Sequence, residues 1–149
     1  MKAVVQRVSE ASVEVGGEIV GRIGPGLMVL VGCAEGDDDA DVRYMADKLA
    51  NLRIFEDDEG KMNLSVAEAG GQMLLVPNFT LCGDCRKGRR PSFTGACAPE
   101  RAEELVNDLA AFIAGTGLGV ERGVFGAKMS VSLINEGPVT LLLSSDRTF

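Results

Sequence analysis

A chain of 149 residues, with 46% hydrophobic and 25% charged side chains, is long enough for one domain with a real core. Its net charge of −7 has the wrong sign for holding nucleic acid over a broad face, and no apolar run approaches the roughly 18 residues of a membrane helix. Histidine is absent, which removes Ser-His-Asp and Cys-His catalysis, histidine general bases and histidine-bearing zinc sites.

Met1–Val5 lead straight into Gln6 and Arg7 without the apolar centre of a signal peptide. A soluble cytoplasmic protein with no membrane partner is expected, and its four cysteines (Cys33, Cys82, Cys85, Cys97) are expected as thiols. Lys2–Val8 and Ser12–Val15 alternate as strands, and Gly16-Gly17 makes a two-residue hairpin into Glu18–Ile23. After the Gly24-Pro25-Gly26 turn, Leu27–Val31 is a continuous apolar run, the pattern of a fully buried strand. Asp37-Asp38-Asp39 supplies a helix cap, and Val42, Met45, Ala46, Leu49 and Leu52 form the apolar stripe of the helix that follows.

Arg53–Phe55 is a short strand, Glu56–Gly60 an acidic turn, and Met73–Val76 a second buried strand. Cys82–Ala98 has no periodicity at all. Pro99 opens a second helix whose buried stripe is Leu105, Leu109, Phe112 and Ile113, and Gly115-Thr116-Gly117 stops it. Gly119–Phe125, Met129–Ile134 and Val139–Leu143 close the chain as β-like runs, with Asn135–Thr140 as the hairpin turn between the last two. The pattern defines an α+β single domain, mainly an antiparallel sheet or barrel with two amphipathic helices.

Three features invite a chemical reading. Cys82-Gly83-Asp84-Cys85 is a CxxC, open to structural thiols, a zinc knuckle or a redox pair. Arg86, Lys87, Arg89 and Arg90 crowd into five residues of an otherwise acidic chain, either as a solvated loop or as a local grip on phosphates. Thr80 ends a buried strand beside the amide of Asn78, where a hydroxyl is either structural or a nucleophile or donor.

Taken in order, Gln6-Arg7-Val8, Ala11-Ser12-Val13, Arg53-Ile54-Phe55, Gly60–Leu64, Phe79-Thr80-Leu81, Arg90-Pro91-Ser92-Phe93, Phe125 with Met129, and Asn135-x-Gly137-Pro138-Val139-Thr140 resemble the D-aminoacyl-tRNA deacylases. The resemblance runs almost the whole chain. It implies a metal-free, cofactor-free hydrolase that splits the ester between a D-amino acid and tRNA, and that also clears glycine from mischarged tRNA. It implies a homodimer, with a cis Gly137-Pro138 bond reaching into the partner's active site and rejecting L-amino acids through main-chain carbonyls. It places Arg7 beside that motif as a support, Phe125 and Met129 as pocket walls, Asn78 at the substrate, and Phe79 and Thr80 at the reacting ester.

One motif departs from the family pattern. Pro77 and Asn78 stand where the family carries Ser and Gln before x-Thr-Leu. A related branch with Pro at the first position has a trans Gly-Pro bond and clears a small L-amino acid from the wrong tRNA; Val139-Thr140 fits the D-specific branch. A small zinc- or RNA-binding module built on the cysteines and the basic loop is the rival from another class.

Overall fold

The computed structural model describes all 149 residues. In chain order the elements are β1 (Lys2–Val15), β2 (Glu18–Ile23), β3 (Gly26–Gly32), α1 (Asp39–Asn51), β4 (Phe55–Glu56), β5 (Met62–Leu64), β6 (Gln72–Pro77), a 3-10 turn (Phe79–Cys82), α2 (Pro99–Ala114), β7 (Val120–Arg122) and β8 (Ser130–Ser144). β4 and β5 form a small separate ribbon. The remaining strands make one sheet in the order β2-β1-β3-β6-β7, with β8 also on β1.

β1 organises this sheet. Its first half pairs with β3, its second half with β2, and nearly its whole length with β8, all antiparallel. Gly16 and Gly17 turn the β1–β2 hairpin at φ 58° and 84°, as a tight turn of matching twist requires. The β3–β6 and β6–β7 pairs are parallel, so each needs a crossover. α1 lies in the first crossover and α2 in the second, and they pack together over one face of the sheet.

That arrangement explains the unbroken apolar runs. Leu27, Val29 and Val31 of β3, with Met73 and Leu75 of β6, face the helices in the larger core. Met28, Leu74 and Val76 face the other way, into a smaller core with Val8, Ala11, Val13 and Ile23. β2 folds over this second core. A Cβ added at Gly21 would come within 2.7 Å of the Arg122 carbonyl oxygen, so the sheet curls almost into a barrel.

The helices start and stop as their sequences dictate. Asp38 caps α1 by accepting from the amides of Ala40 and Asp41, while Asp41 accepts from the Asp38 amide. Asp37 instead ties down the chain's start, accepting from the Met1 amine at 2.6 Å and from the Ala34 amide at 2.7 Å. α2 buries Ala102, Leu105, Val106, Leu109, Ala110 and Ile113. Truncating a leucine as deeply buried as Leu49, Leu105 or Leu109 to alanine costs about 2–5 kcal/mol.

Four expectations change. Phe112 is outside the buried stripe: it lies on the flank of α2, 48% exposed, with the Arg43 guanidinium 5.9 Å from its ring centroid. Lys2–Val8 and Ser12–Val15 are one strand. The strands expected at Arg53–Phe55 and Gly119–Phe125 shrink to Phe55–Glu56 and Val120–Arg122. Most consequentially, Asn135–Thr140 is no hairpin turn. Both flanking runs lie antiparallel to β1 and therefore run the same way, as one strand.

Packing at one glycine is absolute. A Cβ at Gly26 would sit 1.9 Å from the Gln72 carbonyl oxygen, whereas one at Gly24 would meet nothing within 4 Å. Gly26→Ala is expected to force β3 from β6 and lower stability by about 3 kcal/mol or more, with Gly24→Ala within about 1 kcal/mol of the parent. Urea unfolding of the two variants measures the contrast.

Candidate active site

The C-terminal end of β6 opens into a cavity of about 290 Å³, walled by Leu30, Val76, Pro77, Asn78, Phe79, Gly126, Ala127, Met129 and Val131. Sequence reasoning placed Asn78, Phe79 and Met129 at a common site, and the fold brings them together here. Thr80 is not part of the lining; it follows Phe79, exposed, its hydroxyl donating to the Asn78 side-chain oxygen. Phe79 is 58% exposed and meets Phe93 edge to face, with ring centroids 5.3 Å apart. As the first residues of the 3-10 turn, Phe79 and Thr80 donate their amides to no carbonyl within it. Phe125 does not line the cavity; it is half-buried against the larger core.

Pro77 fits the ladder without loss. The amide of Asn78 donates to the Val31 carbonyl at 2.7 Å, toward β3, while that of Met73 donates to Gly119 at 2.9 Å, toward β7. Alternate residues of a parallel strand serve opposite neighbours, so residue 77 would donate toward β7. β7 has ended by then, and the Pro77 ring packs there beside Gly123. A proline at that point removes no sheet hydrogen bond.

The second cluster lies on β8. Opposite β1, Val8 faces Asn135 and Gln6 faces Thr140, so five steps along β8 answer two along β1. The surplus leaves the sheet as an excursion with Gly137 and Pro138 exposed at its crest, joined by a cis peptide bond. Side chains hold both feet. The Asn135 carboxamide accepts from the Val139 amide at 2.9 Å and donates to the Val139 carbonyl at 3.1 Å and the Thr140 hydroxyl at 3.0 Å. Gln6 donates to the same hydroxyl at 3.1 Å.

Arg7 lies beneath the crest, only 8% exposed. Its Nε donates to the Glu136 carbonyl at 3.2 Å and its Nη1 to the Ile54 carbonyl at 2.8 Å, tying the excursion to the approach of β4. Gly137 adopts φ 126°, and a Cβ there would sit 2.8 Å from the Arg7 guanidinium. A side chain is excluded at that position on both counts. The Asn135 and Thr140 clamps were visible in sequence only as the two polar ends of the motif, and the Ile54 carbonyl, being backbone, left no trace there.

Arg7, Gly137 and Pro138 do not line the Asn78–Met129 cavity of their own chain. The cysteines form no third site. Cys82 is buried and its thiol donates to the Cys33 carbonyl at 3.3 Å, whereas Cys85 is exposed, so the two sulfurs of the CxxC face different surroundings. All four are free thiols, and no three metal-ligating side chains converge.

With this geometry in place, comparison with known proteins is specific. The D-Tyr-tRNA(Tyr) deacylase family model matches residues 4–144. The D-aminoacyl-tRNA deacylase of Desulfitobacterium hafniense is 58% identical over 149 residues, covering 100% of both chains, and that of Halothermothrix orenii is likewise 58% identical over the full length of both. Among solved structures, the c-Myc DNA Unwinding Element Binding Protein superposes with a TM-score of 0.91 at 42% identity, covering 97% of this chain and 98% of that one. A probable eukaryotic D-amino acid tRNA deacylase shares the fold, with a TM-score of 0.80 at 21% identity over 95% and 97% of the two chains. The chain belongs to the D-aminoacyl-tRNA deacylase family.

The thiols beside the site have a measurable signature. Burial pushes Cys33 up from an ordinary 9.0 to about 12, and it raises Cys82 as well. Between those values the unfolded chain has lost the Cys33 proton and the folded chain keeps it. Stability therefore falls as pH rises from 9.0 towards about 12. Chemical unfolding across that range is expected to show the decline, and Cys33→Ala to flatten it.

Proposed function

We propose that this chain hydrolyses the ester joining a D-amino acid to the terminal ribose of tRNA, releasing both, and that it clears glycine from mischarged tRNA in the same way. Family membership supports the reaction class. The observation that carries the selectivity is the β8 excursion, clamped by Arg7, Gln6 and Asn135 and bare of side chains at Gly137. Presented to an aminoacyl group, such a crest offers main-chain carbonyls on one side of the α-carbon. A hydrogen or a D side chain pointing away fits, while an L side chain meets backbone that cannot yield. Discrimination of this kind works by building a clash against the wrong partner.

The crest does not reach its own chain's cavity, which suits a homodimer in which Gly137-Pro138 of one subunit closes the Asn78–Met129 cavity of the other. β8 favours such pairing: it bonds only to β1, and along it Ile134 and Leu142 are 53% and 57% exposed. A long unpaired edge with apolar side chains is rarely left open. Asn78 and Met129 then shape the pocket from its wall, while Phe125 packs against the larger core and not on the cavity.

The chemistry asks little of side chains. With no histidine in the chain, no imidazole base is at hand. The Thr80 hydroxyl proton is engaged by the side-chain oxygen of Asn78. In this mechanism the ribose 2′-hydroxyl of the substrate activates water, and the amides of Phe79 and Thr80 receive the developing oxyanion, in a geometry the cavity fixes beforehand. Thr80 orients. The branch that tolerates a small L-amino acid is the second reading, since Pro77 is shared with it. Val139-Thr140 fits the D-specific branch, so the D-specific reading stands first.

Purified protein mixed with matched D- and L-aminoacyl-tRNA is expected to cleave the D-ester at least about 100-fold faster, a backbone clash of about 2.7 kcal/mol. Equal rates would move the chain to the second reading, and no cleavage of either would end the proposal. Thr80→Ala is expected to keep kcat within about tenfold of the parent, whereas loss of a covalent nucleophile would lower it by several orders of magnitude.

A further inference from the structure

The aperiodic stretch after the cavity is a built hairpin. Asp84 and Ser92 exchange both backbone hydrogen bonds, at 2.7 and 2.9 Å, and Gly88 turns the crest at φ 67°. Phe93, one residue past the closing pair, packs on Phe79 of the cavity wall and over Gly83. The hairpin base is thus fastened to the site, and the crest stands beside it with Arg86, Lys87, Arg89 and Arg90 exposed.

These four cations are not equivalent. Asp84 takes Arg86 in a two-point grip, Nε to Oδ1 at 2.9 Å and Nη2 to Oδ2 at 2.7 Å, and also accepts the Arg86 amide at 3.0 Å. That grip holds the Asp84 carboxyl well below the usual carboxylate range. Lys87, Arg89 and Arg90 enter no ion pair. A solvated loop explains exposed charge, but not three uncompensated cations within four residues of a chain whose net charge is −7. Self-repulsion at such a crest is relieved by a polyanion, and a phosphodiester backbone supplies one.

We propose that this hairpin grips the phosphate backbone of the tRNA acceptor arm, with Lys87, Arg89 and Arg90 as the contacts and Asp84 as an internal competitor that withholds Arg86. This rests on the proposed activity for its choice of tRNA. It adds the part of the molecule that holds the substrate outside the ester.

The test is binding of uncharged tRNA to the full-length protein across a salt series. Each phosphate contact contributes roughly 0.7–0.9 to the slope of log affinity against log salt. K87A/R89A/R90A is expected to flatten that slope by about two to three, and to weaken binding at least about tenfold at low salt, while melting like the parent. Asp84→Asn keeps an oxygen for the Arg86 amide but releases its guanidinium, and is expected to steepen the slope by about one. An unchanged slope in the triple variant overturns the hairpin as the grip, and an unchanged slope in Asp84→Asn overturns the competitor role. Uncharged tRNA carries no ester, so binding with this salt signature but without cleavage would strike the activity and leave the hairpin standing.

Discussion

Strand β8 uses five steps where β1 uses two, and the surplus has to leave the sheet. β1 is paired on both edges over Gln6–Val8, and the extra residues of β8 rise as a crest over Arg7. A crest of this kind would ordinarily be a mobile loop. Here the Asn135 carboxamide closes its base, Gln6 fixes Thr140, and the buried guanidinium of Arg7 takes the Glu136 carbonyl from below. Each of those side chains comes from a strand that the core already immobilises. A buried guanidinium needs its hydrogen bonds, so the same contacts that hold the crest also make Arg7 tolerable in the interior.

The cavity owes its position to the other half of the sheet. Parallel β3 and β6 are buried on both faces, which fixes the end of β6 relative to everything around it. The chain then breaks into a 3-10 turn at Phe79, where amides are left without carbonyl partners in the turn. Two kinds of backbone exposure result, donors at Phe79-Thr80 and a carbonyl-bearing crest at Gly137-Pro138. Neither depends on a titrating side chain, which is why a chain without histidine can carry them.

Much of this was legible in sequence, for identifiable reasons. The Gly16-Gly17 hairpin, the stripe from Val42 to Leu49, Pro99 at the head of α2 and the two apolar strands each follow from local rules that tertiary packing did not override. The β8 excursion was not legible, because a hairpin turn and a wide bulge draw on the same Asn, Gly and Pro; only the direction of the partner strand separates them. Phe112 misled because helical spacing defines a face but not how far around the helix burial extends. The split of Cys82 from Cys85, and the Arg7 bond to the Ile54 carbonyl, depend on long-range backbone placement that no spacing encodes.

The crest at Gly137-Pro138 also limits how the protein can change. A surface built of side chains can be rewritten one codon at a time, whereas main-chain carbonyls are the same in every residue. The shape of such a surface is set by the path of the chain and not by its letters. Change in its shape must therefore come through residues that steer that path from beneath, such as the buried Arg7 and the half-buried Asn135.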